Sequence, residues 1–373
     1  MLKVSVSMLL FLYFICFAIP ESVNGYDDLQ FYEIKSGNFS VNVTNFAASL
    51  VSVKLPNKHG ILTDVILGYD TVDEYKNNDK NLGAVIGRVA NRIRDAHFSL
   101  NGTQYNLDRN SGNNSINGGS KGFSRVAWEL AKHKPDSKTP YITFTLYSPD
   151  GDQGYPGDVT ANVTYTINEN YTLSIDMKAI TANKPTPISM ATHAYWNLGG
   201  QNSGNIFSEK LQLFASNIAA MDNDLLTTGN ITSILKTTYD FLEPSPIGIR
   251  INQLPKPVNS KKQKGFDTYY VLDAYNDLEK DRMNKVAVLC EEKSGIRMDL
   301  SSNAPGLQLY TANNLKNLTG KGGVEYKPYA GVCLETQSFP DAVNHQNFPS
   351  SIITKETPYS QTISLSFSTN LQC

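Results

Sequence analysis

The chain has 373 residues, of which 40% are hydrophobic and 18% are charged, and its formal net charge is -2. A chain of this length can bury a large core and form one or two domains. The near-neutral charge gives no sign of a polyanion partner, so we expect no nucleic-acid binding. The densest basic run, at positions 261–264, indicates a solvated loop.

The N-terminus has the pattern of a secretory signal peptide. Lys3 is followed by an apolar run, Met8 to Ile19, and Gly25 supplies the small residue that cleavage requires. A membrane anchor is the alternative, but the run is shorter than the ~20 apolar residues that span a bilayer. We expect residues 1–25 to be removed and residues 26–373 to form a secreted or secretory-pathway domain that is not held in a membrane.

Sequons for N-glycosylation agree with secretion. Eight asparagines stand in Asn-x-Ser/Thr with x other than Pro: Asn38, Asn42, Asn101, Asn113, Asn162, Asn170, Asn230 and Asn317. A chain rich in Asn, Ser and Thr makes some matches by chance, so we do not expect every one to carry a glycan.

Cysteine is sparse once Cys16 leaves with the signal peptide. The remaining Cys290, Cys333 and Cys373 allow at most one internal disulfide, so the fold is not a disulfide framework. Cys290 lies in an apolar run typical of a core strand. Cys333 shares a strand face with Glu335, which leaves a role for its thiol open beside simple packing.

Alternating apolar and polar residues predict strands along most of the chain. Positions 159, 161, 163, 165 and 167 are apolar and alternate with Thr and Asn. The segment 98–105 predicts a hairpin that turns at Asn101-Gly102. Long helical periodicity, internal repeats and linkers are missing from the sequence. These patterns predict an all-β protein, a large antiparallel β-sandwich in a single domain.

An acidic residue interrupts one of the most apolar strands, at positions 330–337. Val332 and Leu334 share one face, whereas Glu335 shares the other with Cys333 and Gln337. A Glu in a core is costly unless it is paired or chemically employed. Glu335 is therefore a candidate catalytic residue.

Among the five histidines, His193 has the most informative surroundings. The sequence has no HExxH motif and no paired Cys/His spacing, so we predict no metal site. A lone strand His is more often a core residue, but Tyr195, Trp196 and Asn197 favour a pocket wall that contacts a polyol. A Glu and a His in such a pocket can act as general base and general acid.

Two arginines, Arg88 and Arg92, stand among small and apolar residues. Such an Arg is usually satisfied by a carboxylate or by a ligand oxygen. A structural ion pair fits Arg88 better than Arg92. Asp267 offers a second carboxyl beside Glu335, so the spacing alone leaves a glycosidase open.

The segments that carry these residues resemble the galactose mutarotases (aldose 1-epimerases), over nearly all of residues 30–370. The matching segments are 87–93, 114–123, 150–157, 192–198, 266–267, 306–310 and 333–337. The run His-Ala-Tyr-Trp-Asn-Leu-Gly-Gly looks like the plant branch of the family. The resemblance implies a galactose mutarotase-like supersandwich with the sugar in an open cleft and with no metal or cofactor. We expect a monomer whose partner is a small molecule, a monosaccharide or a related hemiacetal.

The resemblance also implies a reaction, the interconversion of the α and β anomers of a hexose such as galactose or glucose. By that resemblance, Glu335 takes the proton of the C1 hydroxyl and His193 protonates the ring oxygen. The ring then opens, C1 rotates, and closure gives the other anomer. The residues expected to bind the substrate are Asn91, Arg92, Asn117, Tyr195, Asp267 and Gln308.

Two residues depart from the family pattern. Asn117 stands where the family loop usually has a His at the reacting end of the sugar, and Asn can donate a hydrogen bond but cannot carry charge. Thr268 follows Asp267 where the family usually has Asp-His, so we expect a change in pocket shape or in the support of Asp267. Asn113 is a sequon in the same loop, and a glycan there would shade the cleft.

Two further hypotheses remain open. The same scaffold could serve an isomerase that acts on a non-sugar hemiacetal or another small metabolite, because the acid/base pair is intact while two sugar-side histidines are absent. It could also serve a non-catalytic carbohydrate-binding protein.

Overall fold

The computed structural model describes residues 28–256, 263–316 and 318–369. Strands dominate it, as the alternation of apolar and polar residues predicts. The strands are β1 (Phe31–Ser36), β2 (Phe39–Thr44), β3 (Leu50–Pro56), β4 (Leu62–Asp64), β5 (Val85–Ile86), β6 (Arg92–Ile93), β7 (His97–Leu100), β8 (Thr103–Asn106), β9 (Ser115–Ile116), β10 (Glu129–Lys134), β11 (Tyr141–Ser148), β12 (Val159–Asn168), β13 (Thr172–Thr181), β14 (Thr186–Pro187), β15 (Ala191–Thr192), β16 (Tyr195–Trp196), β17 (Lys210–Leu213), β18 (Asn217–Met221), β19 (Thr227–Ser233), β20 (Ser245–Pro246), β21 (Asp267–Val271), β22 (Asn284–Glu291), β23 (Ile296–Ser302), β24 (Gly306–Tyr310), β25 (Leu318–Thr319), β26 (Glu325–Tyr326), β27 (Val332–Gln337), β28 (Ile352–Ile353) and β29 (Tyr359–Thr369). The α-helices are α1 (Val72–Lys76) and α2 (Ile247–Gln253).

Two large antiparallel sheets form the body of the protein. The nine-stranded sheet has the order β10-β11-β12-β13-β29-β23-β22-β17-β20, and the six-stranded sheet has the order β16-β27-β24-β21-β18-β19. A four-stranded sheet, β1 to β4, and several two-stranded pairs surround them. The prediction of a large antiparallel β-sandwich is confirmed.

The core lies between the two large sheets, because each inner strand turns one apolar face toward the other sheet. Leu307 and Leu309 of β24 join Val332 and Leu334 of β27 in the main core cluster. Residues of β13 and β29 from the nine-stranded sheet belong to the same cluster. The alternate residues of β24 and β27 therefore point to the opposite side of the six-stranded sheet.

Two local predictions about strands are confirmed. In β12, Val159, Ala161, Val163, Tyr165 and Ile167 are all buried and the residues between them are half-buried. The predicted hairpin is the pair β7 and β8, which are antiparallel. Its turn residues have positive φ, 51° at Asn101 and 78° at Gly102, a conformation that suits Asn and Gly.

The sequon asparagines stay candidates for glycosylation, with different exposure. The exposed ones are Asn38, Asn101, Asn113, Asn170 and Asn230, and the half-buried ones are Asn42 and Asn162. Asn317 and the predicted signal peptide, residues 1–25, lie outside the described residues. Within the described ranges, every helix is too short or too polar to cross a bilayer. Cys290 is disulfide-bonded, and Cys333 is a buried free thiol.

The prediction of an ion pair for Arg88 is wrong. The side chain is 2% exposed, and its guanidinium donates to backbone carbonyls instead of a carboxylate. Its Nη2 donates to the carbonyl oxygens of Ser148 (2.8 Å) and Pro149 (2.7 Å), its Nη1 donates to that of Pro156 (2.9 Å), and its Nε donates to Oγ of Ser148 (2.9 Å). Sequence alone could not show this, because carbonyl partners have no residue-type signature.

Candidate active site

A polar cavity of about 200 Å³ opens on the side of the six-stranded sheet that faces away from the core. This volume is below the roughly 300–1,000 Å³ of sites for drug-sized ligands, so it suits one small polar molecule. All eight residues predicted from the sequence to act on or bind the substrate line it: Asn91, Arg92, Asn117, His193, Tyr195, Asp267, Gln308 and Glu335.

Three neighbouring strands place the acidic wall of the cavity. Glu335 on β27 pairs directly with Gln308 on β24. Asp267, at the start of β21, lies opposite Tyr310 and thus diagonally from Gln308. Because neighbouring strands are ~4.8 Å apart, the strands of Glu335 and Asp267 are separated by about 10 Å.

His193 reaches the cavity from the segment between β15 and β16. Its backbone N–H donates to the carbonyl of Ala84 (2.8 Å), and its carbonyl accepts from the N–H of Gly83 (3.0 Å). Its ring stacks on Tyr195 at a centroid distance of 5.0 Å and an interplanar angle of 27°. The Tyr195 hydroxyl donates to the carbonyl of Lys80 (2.9 Å). Hydrogen bonds of the His193 backbone and of the Tyr195 hydroxyl therefore position the stacked pair.

Cys333 lies directly beside the His193 ring, although the two are distant in sequence. Its Sγ is 3.5 Å from Nδ1 of His193. Burial raises the pKa of the Cys333 thiol, so the thiol keeps its proton and can donate to Nδ1. A neutral imidazole that accepts at Nδ1 carries its proton on Nε2, the nitrogen nearest Glu335.

The candidate acid and base face each other across a short gap. Nε2 of His193 is 3.7 Å from Oε1 of Glu335, which is too long for a hydrogen bond. Burial raises the pKa of Glu335 well above the usual value of a carboxyl group, the Asp267 charge raises it further, and Arg92 lowers it. Burial lowers the pKa of His193 to about 4. Without substrate, burial therefore disfavours the charged form of both groups.

A chain of hydrogen bonds links the binding residues. Oδ1 of Asn117 accepts from the backbone N–H of Asn91 (2.9 Å), and Nδ2 of Asn91 donates to Oε1 of Gln308 (3.0 Å). Nε2 of Gln308 then donates to Oδ1 of Asp267 (2.6 Å). Oδ2 of Asp267 is 3.7 Å from Nη2 of Arg92. Because a carboxylate group only accepts, this chain of hydrogen bonds fixes the orientations of the Gln308 and Asn91 amides before any ligand binds.

The loop conformation explains why asparagines occupy positions 91 and 117. Their φ angles are 67° and 53°, in the left-handed region that Asn tolerates better than most residues. The next residue, Gly118, has φ of 82°, and a Cβ there would lie 1.9 Å from the carbonyl oxygen of Gly87. The two loops can approach this closely only because position 118 is a glycine.

Thr268 does not line the cavity: Asp267 faces it, and the next residue in a strand points the other way, so Thr268 is buried (4% exposed) on the face of Tyr270. An effect of Thr268 on the support of Asp267 stays a prediction. Two expectations about the pocket wall are wrong. Trp196 likewise alternates with Tyr195 and packs in the main core. Nδ2 of Asn197 donates to the carbonyl of Ala330, and its side chain lines a different cavity.

The cavity also contains residues that sequence reasoning missed. They are Asp79, Lys80, Ile116, Tyr310 and Asn314. Tyr310 packs edge-on against His193 and Tyr195, and it could have been found because it lies two residues after Gln308 on the same strand face. The loop residues Asp79 and Lys80 have no comparable pattern.

His193, Cys333 and Glu335 also form a buried group whose ligand atoms all lie within 4.8 Å of one another. Such a set can hold a soft divalent metal ion. An ion bound there would occupy the space between the acid and the base, where a substrate must sit.

Comparisons with known proteins agree with this geometry. The model of the aldose 1-epimerase family matches residues 30–366. Galactose mutarotase from Bos taurus is 33% identical over 345 residues, covering 92% of this chain and 95% of that protein. Aldose 1-epimerase from Escherichia coli K12 is 29% identical over 309 residues, covering 83% and 86%.

Solved structures give the same result for the fold. The crystal structure of a GalM/aldose epimerase homologue from C. elegans superposes with a TM-score of 0.81 at 27% identity, covering 91% of this chain and 99% of that one. The family match, the relative above 30% identity and the shared supersandwich agree with the resemblance seen in the motifs. The chain belongs to the aldose 1-epimerase family.

Proposed function

We propose that this protein is an aldose 1-epimerase, an isomerase that interconverts the α and β anomers of a hexose by opening and closing the sugar ring. The observation that carries the proposal is the buried pair of Glu335 and His193, 3.7 Å apart at the cavity wall. A pyranose placed with its C1–O5 edge at this pair presents the C1 hydroxyl and the ring oxygen, the two groups that exchange protons. Each proton transfer of this kind contributes typically 10²–10⁴-fold in rate.

Ring opening and closure pass one proton back and forth between Glu335 and His193. Ring opening begins with a carboxylate at Glu335 and an imidazolium at His193, and it ends with a carboxyl and a neutral imidazole. Both states carry one mobile proton, and ring closure on the other face of C1 restores the first. The burial that raises the pKa of Glu335 and lowers that of His193 favours the second state, which is the one that protonates the aldehyde oxygen and closes the ring.

The rest of the cavity orients the sugar. In a pyranose, C4 lies opposite C1 and C3 lies opposite the ring oxygen. A sugar with C1 at Glu335 therefore turns its C3 and C4 hydroxyls toward Asp267, whose strand lies about 10 Å away, and toward Arg92 beside it. A guanidinium donates hydrogen bonds and a carboxylate accepts them. Together they can therefore bind these hydroxyls both as acceptors and as donors.

The activity should have a bell-shaped pH dependence. The pair must hold one mobile proton, so kcat/KM falls below pH 4, where His193 takes a second proton at its pKa of about 4. It falls again above the pKa of Glu335, which burial places well above the usual carboxyl value. Rates from ¹H NMR exchange between anomers, corrected for the spontaneous reaction at each pH, check this profile. A profile without an acid limb would contradict it.

Asn117 offers a test of the substrate class. Oδ1 of Asn117 accepts from the N–H of Asn91, and Nδ1 of a histidine occupies the same place in its side chain. Asn117→His would keep that bond and direct Nε2 into the cavity. Its positive φ of 53° is one that His tolerates. We expect kcat for α-D-galactose to rise by up to about 10²-fold, the lower end of what one preorganised donor contributes.

Polarimetry on freshly dissolved α-D-galactose measures the mutarotation rate of the wild type and of Asn117→His. Asn114→His is the matched control, because it changes a neighbouring half-buried loop residue outside the cavity. If the wild type and Asn117→His both fail to accelerate mutarotation of galactose and of glucose, a hexose is not the substrate. A non-sugar hemiacetal would then be the better substrate class for the same acid/base pair.

We also propose that the protein is secreted and glycosylated. The support is the apolar N-terminal run of the sequence and the exposure of Asn38, Asn101, Asn113, Asn170 and Asn230. Asn113 lines a cavity of about 430 Å³ that shares Arg92 with the sugar site, so a glycan there would stand beside the entrance. Mass spectrometry of protein from a eukaryotic culture medium tests the cleavage site and each glycan.

A further inference from the structure

Two buried glutamates face each other at a distance from the sugar cavity. Lys210, the first residue of β17, pairs with Cys290 of β22, so the next register position sets Glu209 opposite Glu291. Glu209 is 1% exposed and Glu291 is 4% exposed. Like charges directly opposite each other on antiparallel strands are destabilising, and burying a charge without a partner costs still more.

The glutamates have backbone partners but no cation. Oε1 of Glu209 accepts from the N–H of Leu198 (2.8 Å), and Oε2 of Glu291 accepts from the N–H of Ser294 (2.7 Å). Oε2 of Glu209 is buried and has no hydrogen-bond partner. Across the described ranges, neither carboxylate forms a salt bridge; Lys210 pairs with the exposed Glu292 instead, at 2.6 Å.

Both glutamates line a cavity of about 390 Å³ whose other walls are rich in oxygen. Ser203, Ser208 and Asn205 also line it, and each carries a side-chain hydroxyl or amide oxygen. Lys293 is exposed at the cavity edge. The lining contains no His and no Cys. Two carboxylates with neutral oxygens are the donors that Ca²⁺ prefers, whereas softer metals select imidazole or thiolate.

We propose that Glu209 and Glu291 bind one Ca²⁺ ion in this cavity. The unpartnered oxygen of Glu209 is the first ligand, Glu291 is the second, and neighbouring oxygens and water complete the coordination. Ca²⁺ fits better than Mg²⁺ because Ca²⁺ accepts six to eight oxygens in flexible geometry, whereas Mg²⁺ demands a near-ideal octahedron. Burial and the charge of Glu291 raise the pKa of Glu209, so the ion would compete with a proton for this side chain.

The position of the site indicates a structural role. Glu209 holds the N–H of Leu198, and Leu198 lies five residues after His193. The ion would therefore fasten the turn that follows the His193 segment to the end of β22. Neither glutamate lines the sugar cavity, so binding should change stability and leave the mutarotation rate at low temperature unchanged.

Calorimetric titration and thermal unfolding test the proposal on the full-length mature protein, stripped with EDTA and dialysed. We expect one saturable Ca²⁺ site per chain and a rise of several degrees in Tm. Glu209→Gln and Glu291→Gln should each lose the rise. Glu292→Gln is the matched control, since it makes the same change one residue away, outside the cavity, and it should keep the rise.

Several results would overturn the proposal. One is the absence of a saturable heat and of a Tm shift in the wild-type protein, which needs no variant to fold. Another is a Tm shift that NaCl reproduces at the same ionic strength. A third is a Ca²⁺-dependent shift that persists in both cavity variants, because the ion would then bind elsewhere.

Discussion

Glu335→Gln is expected to lower kcat for mutarotation by about 10²–10⁴-fold, the range for losing a positioned general base. The amide keeps the shape of the side chain but cannot take the proton of the C1 hydroxyl. The fold should remain intact, because the amide is uncharged in a site whose burial already disfavours the carboxylate. Polarimetry and ¹H NMR exchange measure the rate, and circular dichroism checks the fold.

Glu129→Gln is the control for this change. It makes the same substitution on a strand, at an exposed position, and should retain full activity. The variant also separates the enzyme from a carbohydrate-binding protein. A Glu335→Gln protein that binds galactose in calorimetry with unchanged affinity and shows an unchanged rate would contradict the assigned role of Glu335.

Arg88→Lys is expected to lower the free energy of unfolding by about 3 kcal/mol or more. Hydrogen bonds to a charged group are worth roughly 1.5–3 kcal/mol each, and every buried acceptor left without a donor adds a cost of about 1–3 kcal/mol. The Arg88 guanidinium donates to three carbonyl oxygens and to the hydroxyls of Ser148 and Thr186 in a fixed plane. A lysine ammonium has three donors on one atom and cannot reach all of them.

Urea unfolding measures this loss as a shift of the midpoint at constant m-value. Arg282→Lys is the control, because Arg282 is 61% exposed and its ion pair with Glu279 lies at the surface, where such pairs are worth at most about 1 kcal/mol. Equal shifts for the two variants would mean that the carbonyl contacts of Arg88 contribute little.

The sandwich and the acid/base pair could be predicted because they depend on local patterns. Strict alternation in β12 follows from burial of one face of a strand, and Glu335 stands out because a carboxylate is rare among buried apolar residues. The error at Trp196 came from treating a sequence neighbour of site residues as part of the site. The period of two in a strand puts such neighbours on opposite faces.

Other features could not be predicted, because they depend on contacts between distant segments. The thiol of Cys333 beside His193, the carbonyl partners of Arg88 and the place of Lys80 in the cavity all follow from the assembled fold. None of them has a local signature in the sequence. The opposition of Glu209 and Glu291 likewise needs the register of β17 and β22, which no short segment specifies.

The place of β29 has a consequence for biosynthesis. This strand, Tyr359–Thr369, lies in the middle of the nine-stranded sheet, between β13 and β23. During synthesis β29 leaves the ribosome last among the strands of this sheet. Until then, the two halves of the sheet have unpaired inner edges. Unpaired edges are templates for aggregation, and such distant pairings form slowly. A nascent chain of this protein should therefore depend on chaperones until translation is complete.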